Sequence, residues 1–126
     1  MRTLAVLVVA ASALLGACAA PVASSVIDVE LTEFAITTSN DRATAGDLTL
    51  DIWNTGEFPH TIVVSDTAGR VVRATDLIPP GANMELELDL PEGRYQFTCR
   101  IVAEADDGTL YDHFEQGMRT SVMSVG

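Results

Sequence analysis

Strict two-residue alternation restricts this chain more than any other feature. Met84, Leu86, Leu88 and Leu90 alternate with Glu85, Glu87 and Asp89, so one face of that stretch is apolar and the other charged. A repeat of two belongs to a strand, because successive side chains leave it on opposite sides. The same period runs through Ile27, Val29 and Leu31, through Leu48, Leu50 and Ile52, and through Tyr95, Phe97 and Cys99. His60, Ile62 and Val64 share a face in the same way, which turns His60 inward at the start of a strand. The phase flips at Glu33, after which Phe34 and Ile36 carry the apolar face, and a bulge is expected there. Residues 70–77 read as a weaker strand and residues 119–125 as the last one. Turn signals separate these runs: residues 39–46, Asn54-Thr55-Gly56, residues 66–69, Pro79-Pro80-Gly81 and Pro91-Glu92-Gly93. No segment past the N-terminal region has a helical period. Seven or eight short strands of this kind predict an all-β sandwich or barrel.

The N-terminal region has a different composition. A short basic start, Met1-Arg2, precedes an apolar run over residues 4–15. That run is too short to span a bilayer and has the length of a signal-peptide core. It ends in Leu15-Gly16-Ala17-Cys18, which resembles the lipobox of bacterial lipoproteins. The resemblance implies removal of residues 1–17, lipidation of Cys18, a tether over residues 18–25 and a domain over residues 26–126. The expected location is then the extracytoplasmic face of a bacterial membrane, held by a lipid anchor, since two or more acyl chains anchor stably. The simpler alternative is an ordinary secretory signal cut nearby.

All seven basic residues are arginine, against eighteen Asp and Glu, and the net charge is −11. Such a surface repels nucleic acid and anionic lipid. It steers a basic partner, or serves solubility alone. The length suits one domain.

The chemistry-bearing residues are few. The chain has two histidines and two cysteines. With Cys18 lipidated, Cys99 has no partner for a disulfide, and metal ligation is one way to protect a lone thiol in an oxidising compartment. Cys99, His113 and Met118 fall in one C-terminal stretch, with His60 upstream. Two imidazoles, a thiol and a thioether form the donor set of a mononuclear blue copper site. Each residue also has a plainer reading: His60 as a core histidine, Cys99 as a small buried hydrophobe, Met118 as core and His113 as a loop residue.

Taken in order, the pieces resemble the cupredoxin family over nearly all of the chain past residue 26. They are N-x-G-x-x-x-H at Asn54, Gly56 and His60, P-P-G at Pro79 to Gly81, P-E-G-R-Y-Q-F-T-C ending at Cys99, and H-x-x-x-x-M at His113 and Met118. The resemblance implies a Greek-key β-sandwich holding one type 1 copper, with His60, Cys99 and His113 equatorial and Met118 axial. Asn54 and Thr61 take supporting positions, Thr61 standing where the family often has Asn. One departure is large. The family puts its second His a few residues after the Cys, whereas here residues 100–112 intervene, with four acids at Glu104, Asp106, Asp107 and Asp112. This insert is expected to project as an acidic flap over residues 102–110, leaving residues 112–118 as the ligand turn.

The expected function is single-electron transfer between extracytoplasmic redox proteins by a membrane-anchored monomer. Two other readings are a copper-binding or copper-delivery lipoprotein without a redox partner, and a metal-free interaction module. An enzyme is not expected. Cys99 and a histidine could pair as thiolate and base, but no nucleophile motif surrounds them. A binuclear copper centre needs a second cysteine, and a multicopper oxidase needs many more histidines.

Overall fold

The alternating runs form strands in the computed structural model, which describes residue 16 and residues 21–126. Apart from Gly16, the signal segment lies outside the described residues, as do Cys18 and the first part of the tether. The described residues hold eleven strands and no helix. They are β1 (Val26–Thr32), β2 (Ala35–Thr38), β3 (Arg42–Thr44), β4 (Gly46–Asn54), β5 (Val63–Asp66) and β6 (Val71–Ala74). Then come β7 (Asn83–Leu90), β8 (Gly93–Thr98), β9 (Val102–Glu104), β10 (Leu110–Asp112) and β11 (Arg119–Val125).

Two sheets form the expected sandwich. One has the order β2-β1-β4-β7 and the other β3-β11-β8-β5-β6. Register follows the apolar pattern: Ile27 lies opposite Leu50 in the parallel β1–β4 pair, and Leu50 opposite Leu86 in the antiparallel β4–β7 pair. A one-residue slip would turn each apolar row to solvent, so burial holds the register. Ile27, Leu31, Leu50, Ile52, Ile62 and Phe97 are fully buried between the sheets. Each such side chain contributes about 1.5–3 kcal/mol of transfer free energy.

The strand count exceeds seven or eight for three local reasons. Glu33 and Phe34 form a tight turn rather than a bulge, and Thr32 faces Ala35 across the hairpin. The turn explains the phase flip, because Leu31 and Ile36 are paired and both point inward. Residues 39–46 hold β3, which lies parallel to β11. The insert closes on itself as the β9–β10 hairpin, with Ala103 facing Tyr111.

At one end the apolar core changes chemistry. Cys99 and Met118 belong to the core cluster and are fully buried, as are His60 and His113. Residues 22–25 run along the domain edge: Ser24 N–H donates to Arg42 O, and Asn40 Nδ2 donates to Val22 O. Among the described residues no helix is long and apolar enough to cross a membrane.

Candidate metal centre

His60 is delivered by a loop that Asn54 organises. Asn54 ends β4 and is fully buried. Its amide donates to Phe58 O at 2.8 Å and Ile78 O at 2.9 Å, and its oxygen accepts from Gly56 N–H at 3.0 Å. One side chain therefore satisfies three backbone groups in a segment that no ladder pairs. His60 itself precedes β5, which starts only at Val63. A two-way bridge holds its backbone instead: His60 N–H donates to Ile78 O at 3.1 Å, and His60 O accepts from Ile78 N–H at 2.8 Å.

Cys99 and Met118 face one another just beyond the paired ends of β8 and β11. Thr98 pairs with Arg119, and Cys99 N–H donates to Met118 O at 3.1 Å. Thr61 N–H donates to Cys99 Sγ at 3.5 Å, with the Thr61 hydroxyl at 3.9 Å. Thr61 thus supports the thiol, while Asn54 supports the loop.

The insert costs the site little. His113 N–H donates to Ile101 O at 2.9 Å, directly after the β9–β10 hairpin closes on the pair Asp112 and Val102. The chain therefore leaves and re-enters at nearly the same place, whatever the length of the excursion. Asp112 then starts the ligand turn as an N-terminal cap: its Oδ1 accepts from Phe114 N–H at 3.0 Å and Glu115 N–H at 3.2 Å. Gly117, at φ 118°, supplies the left-handed step that closes the turn, and Met118 N–H donates to His113 O at 3.0 Å.

Three donor atoms converge. His60 Nδ1 lies 3.1 Å from His113 Nδ1, and Cys99 Sγ lies 3.9 Å and 3.6 Å from those two nitrogens. Among the described residues these three form the only cluster of three or more His, Cys, Asp or Glu donors. Met118 is tied to two of them through its backbone and is buried beside them. A first-row ion with bonds of ~2.0 Å to nitrogen and ~2.3 Å to sulfur matches these separations at angles of roughly 100°, 115° and 130°, close to a planar triangle. Two neutral imidazoles facing Nδ1 to Nδ1 share at most one proton. His113 Nε2 is buried with no hydrogen-bond partner among the described residues. A cation between the rings can accept both Nδ1 lone pairs at once. The donor set fits a metal.

The electrostatics agree. Burial pushes the pKa of His113 below its usual range and the neighbouring His60 pushes it further, with Glu33 and Asp112 opposing in part. The ring stays neutral and keeps a lone pair to offer. Glu33 was not legible as a site residue. Its Oε1 lies 3.1 Å from His60 Nε2 and accepts from Glu57 and Phe58 N–H at 2.9 Å each. Burial raises its pKa, but the bonds from Phe58, Glu57 and His60 outweigh burial and hold the carboxyl below its usual range. Phe34, Phe58 and Tyr111 were missed as well. Phe34 packs on the His113 ring at 5.0 Å and stacks between Phe58 at 6.4 Å and Tyr111 at 6.2 Å. The one sequence signal for this wall is the broken alternation at Glu33 and Phe34.

The fold is that of the cupredoxins. Auracyanin from the photosynthetic bacterium Roseiflexus castenholzii superposes with a TM-score of 0.64 at 20% identity, over 82% of this chain and 99% of that one. Auracyanin A, a "blue" copper protein from Chloroflexus aurantiacus, gives 0.55 at 13% identity over 79% and 99%. A purple cupredoxin from Nitrosopumilus maritimus gives 0.52 at 18% identity over 78% and 98%. No family model matches the sequence, and no curated protein sequence does.

Proposed function

We propose that this protein is a blue copper protein that carries single electrons between extracytoplasmic redox partners, tethered to a bacterial membrane through lipid on Cys18. The observation that carries the reading is the buried convergence of His60 Nδ1, His113 Nδ1 and Cys99 Sγ. These three atoms would hold the copper, with Met118, buried beside them, as a further weak donor. Bound copper supplies a one-electron couple whose colour and potential the thiolate dominates.

The chain's own residues supply the rest. Asn54, the Ile78 bridge and the Asp112 cap fix the donors before metal arrives, so a change of charge at the site demands little movement. The Thr61 N–H draws electron density from the sulfur. Full burial of all four side chains keeps water out. The strongly acidic surface, net −11, favours a basic partner by long-range steering. The domain acts as a monomeric carrier.

Titration of the chain with Cu(II) tests this. One equivalent produces an intense band towards the red end of the visible spectrum, and Cys99→Ser abolishes it. Uptake of Cu(II) without that band turns the reading to copper storage or delivery. No uptake leaves a metal-free interaction module.

A further inference from the structure

We propose that Glu33 is a positioning residue of the metal centre, locking the His60 ring as the Nε2–H tautomer so that its Nδ1 lone pair faces Cys99 and His113. The proposal rests on the copper reading for its redox consequence, and on geometry alone for the tautomer.

A neutral imidazole carries one N–H, and an ionised carboxylate only accepts. Glu33 Oε1 at 3.1 Å from His60 Nε2 therefore selects the proton on Nε2 and frees Nδ1. The same oxygen takes backbone N–H groups of Glu57 and Phe58, so the carboxylate is held in place independently of the imidazole. The loop is shaped around it: a Cβ on Gly56 would be driven into the Glu33 carboxyl group. Both sides are anchored on β1, since Thr55 N–H donates to Leu31 O at 3.0 Å and the Thr55 hydroxyl to Glu30 at 2.7 Å. Glu33 is thus a prebuilt acceptor on a rigid turn, reaching the imidazole from another part of the fold.

The two imidazoles are consequently unequal. His60 has a carboxylate behind it, whereas His113 Nε2 has no partner among the described residues and its ring is braced by Phe34. A carboxylate behind a ligating imidazole orients the ring and strengthens it as a donor, and loss of such a partner costs on the order of 10–100-fold in metal affinity. Negative charge beside the site also favours the more highly charged ion, so Glu33 stabilises Cu(II) over Cu(I).

The test uses the full chain, its Glu33→Gln and Glu33→Ala variants, and copper as the probe. Glu33→Gln keeps an acceptor of the same shape and removes the charge. It keeps the visible band and raises the reduction potential, each tenfold shift in relative Cu(II) and Cu(I) affinity reading as 59 mV for one electron. Glu33→Ala lowers Cu(II) affinity about 10–100-fold. In the copper-free protein, ¹⁵N NMR of the histidine rings gives His60 as Nε2–H in the wild type, and as a mixture in Glu33→Ala. An unchanged potential in Glu33→Gln, or a wild-type His60 protonated on Nδ1, overturns the proposal. A wild-type chain that takes up no copper overturns the copper reading instead, and the tautomer measurement then decides for Glu33 alone.

Discussion

Asn54→Ala removes the side chain on which the His60 loop depends, and its cost follows from three bonds. Asn54 is fully buried and makes hydrogen bonds of 2.8, 2.9 and 3.0 Å to Phe58 O, Ile78 O and Gly56 N–H. A net contribution of about 0.5–1.5 kcal/mol for each bond sets the scale. Ile78 O keeps the His60 N–H as a partner, so its loss is the mildest. Gly56 and Phe58 lie towards solvent and regain water, which avoids the full penalty of orphaned groups. The sum is about 2–4 kcal/mol once the small void left by the amide is included. That is a large share of the 5–15 kcal/mol typical of a whole domain, and lowers the melting temperature by roughly 10–25 °C.

The assay is urea unfolding of the copper-free protein in chelator, followed by far-ultraviolet circular dichroism. Asn54→Asp separates shape from hydrogen bonding. It keeps the oxygen that accepts from Gly56 but sets carboxylate oxygens against the Phe58 and Ile78 carbonyls, so it destabilises at least as much as Asn54→Ala. A loss below about 1 kcal/mol in Asn54→Ala, well under the three-bond sum, refutes the view that Asn54 organises the loop.

Four further outcomes are expected. Met118→Gln keeps copper and lowers the reduction potential, because a long axial thioether tunes an assembled site; complete loss of copper in equilibrium dialysis refutes this. The copper-free protein loses stability as pH falls below the ordinary His113 value of 6.5, because the unfolded chain takes up a proton that the folded ring resists. Unfolding free energies measured at neutral pH and in mildly acidic buffer check that sign, and Glu33 adds a separate loss only below its ordinary 4.5. Replacing residues 102–111 by a short turn preserves the visible band, since His113 is held by Ile101 and Asp112 rather than by the hairpin; it alters the salt dependence of electron exchange by removing Glu104, Asp106 and Asp107. Cys18→Ala shifts the protein from the membrane fraction to the soluble one or blocks its processing, and unchanged membrane retention argues against lipidation.

The sandwich was legible because burial and strand period carry the same information. Leu86, Leu88 and Leu90 alternate in sequence and are buried in the fold. The donor residues were legible because the chain has so few histidines and cysteines, and because their order matched a known family. Strand ends were less so. His60 shares its inward phase with Ile62 and Val64, yet it sits in a bridge to Ile78 rather than in β5, and nothing local in residues 60–64 announces a partner eighteen positions away. The hairpin at Glu33 was read as a bulge because a phase flip reports only a change of parity. A two-residue turn and an extra bulged residue produce the same change.

That ambiguity hid the part of the site with the most chemistry. As a bulge, residues 33–34 would be a kink in a sheet edge. As a hairpin turn, they project from the end of β1 towards the loop after β4, because β1 and β4 run parallel and end together at Leu31 and Asn54. Parallel pairing is long-range and leaves no trace in local periodicity. It places Glu33 behind His60 and Phe34 against His113, so a single turn braces both imidazoles through different chemistry, one by a hydrogen bond and one by ring packing. The acidic hairpin adds Tyr111 to the same wall by stacking it on Phe34. An insert that looked like an obstacle to ligation thus lends a ring to the cover over His113, while its charged tip, at Asp106 and Asp107, stays in solvent. Support and exposure are divided along the hairpin, which is why its length places so little burden on the donors themselves.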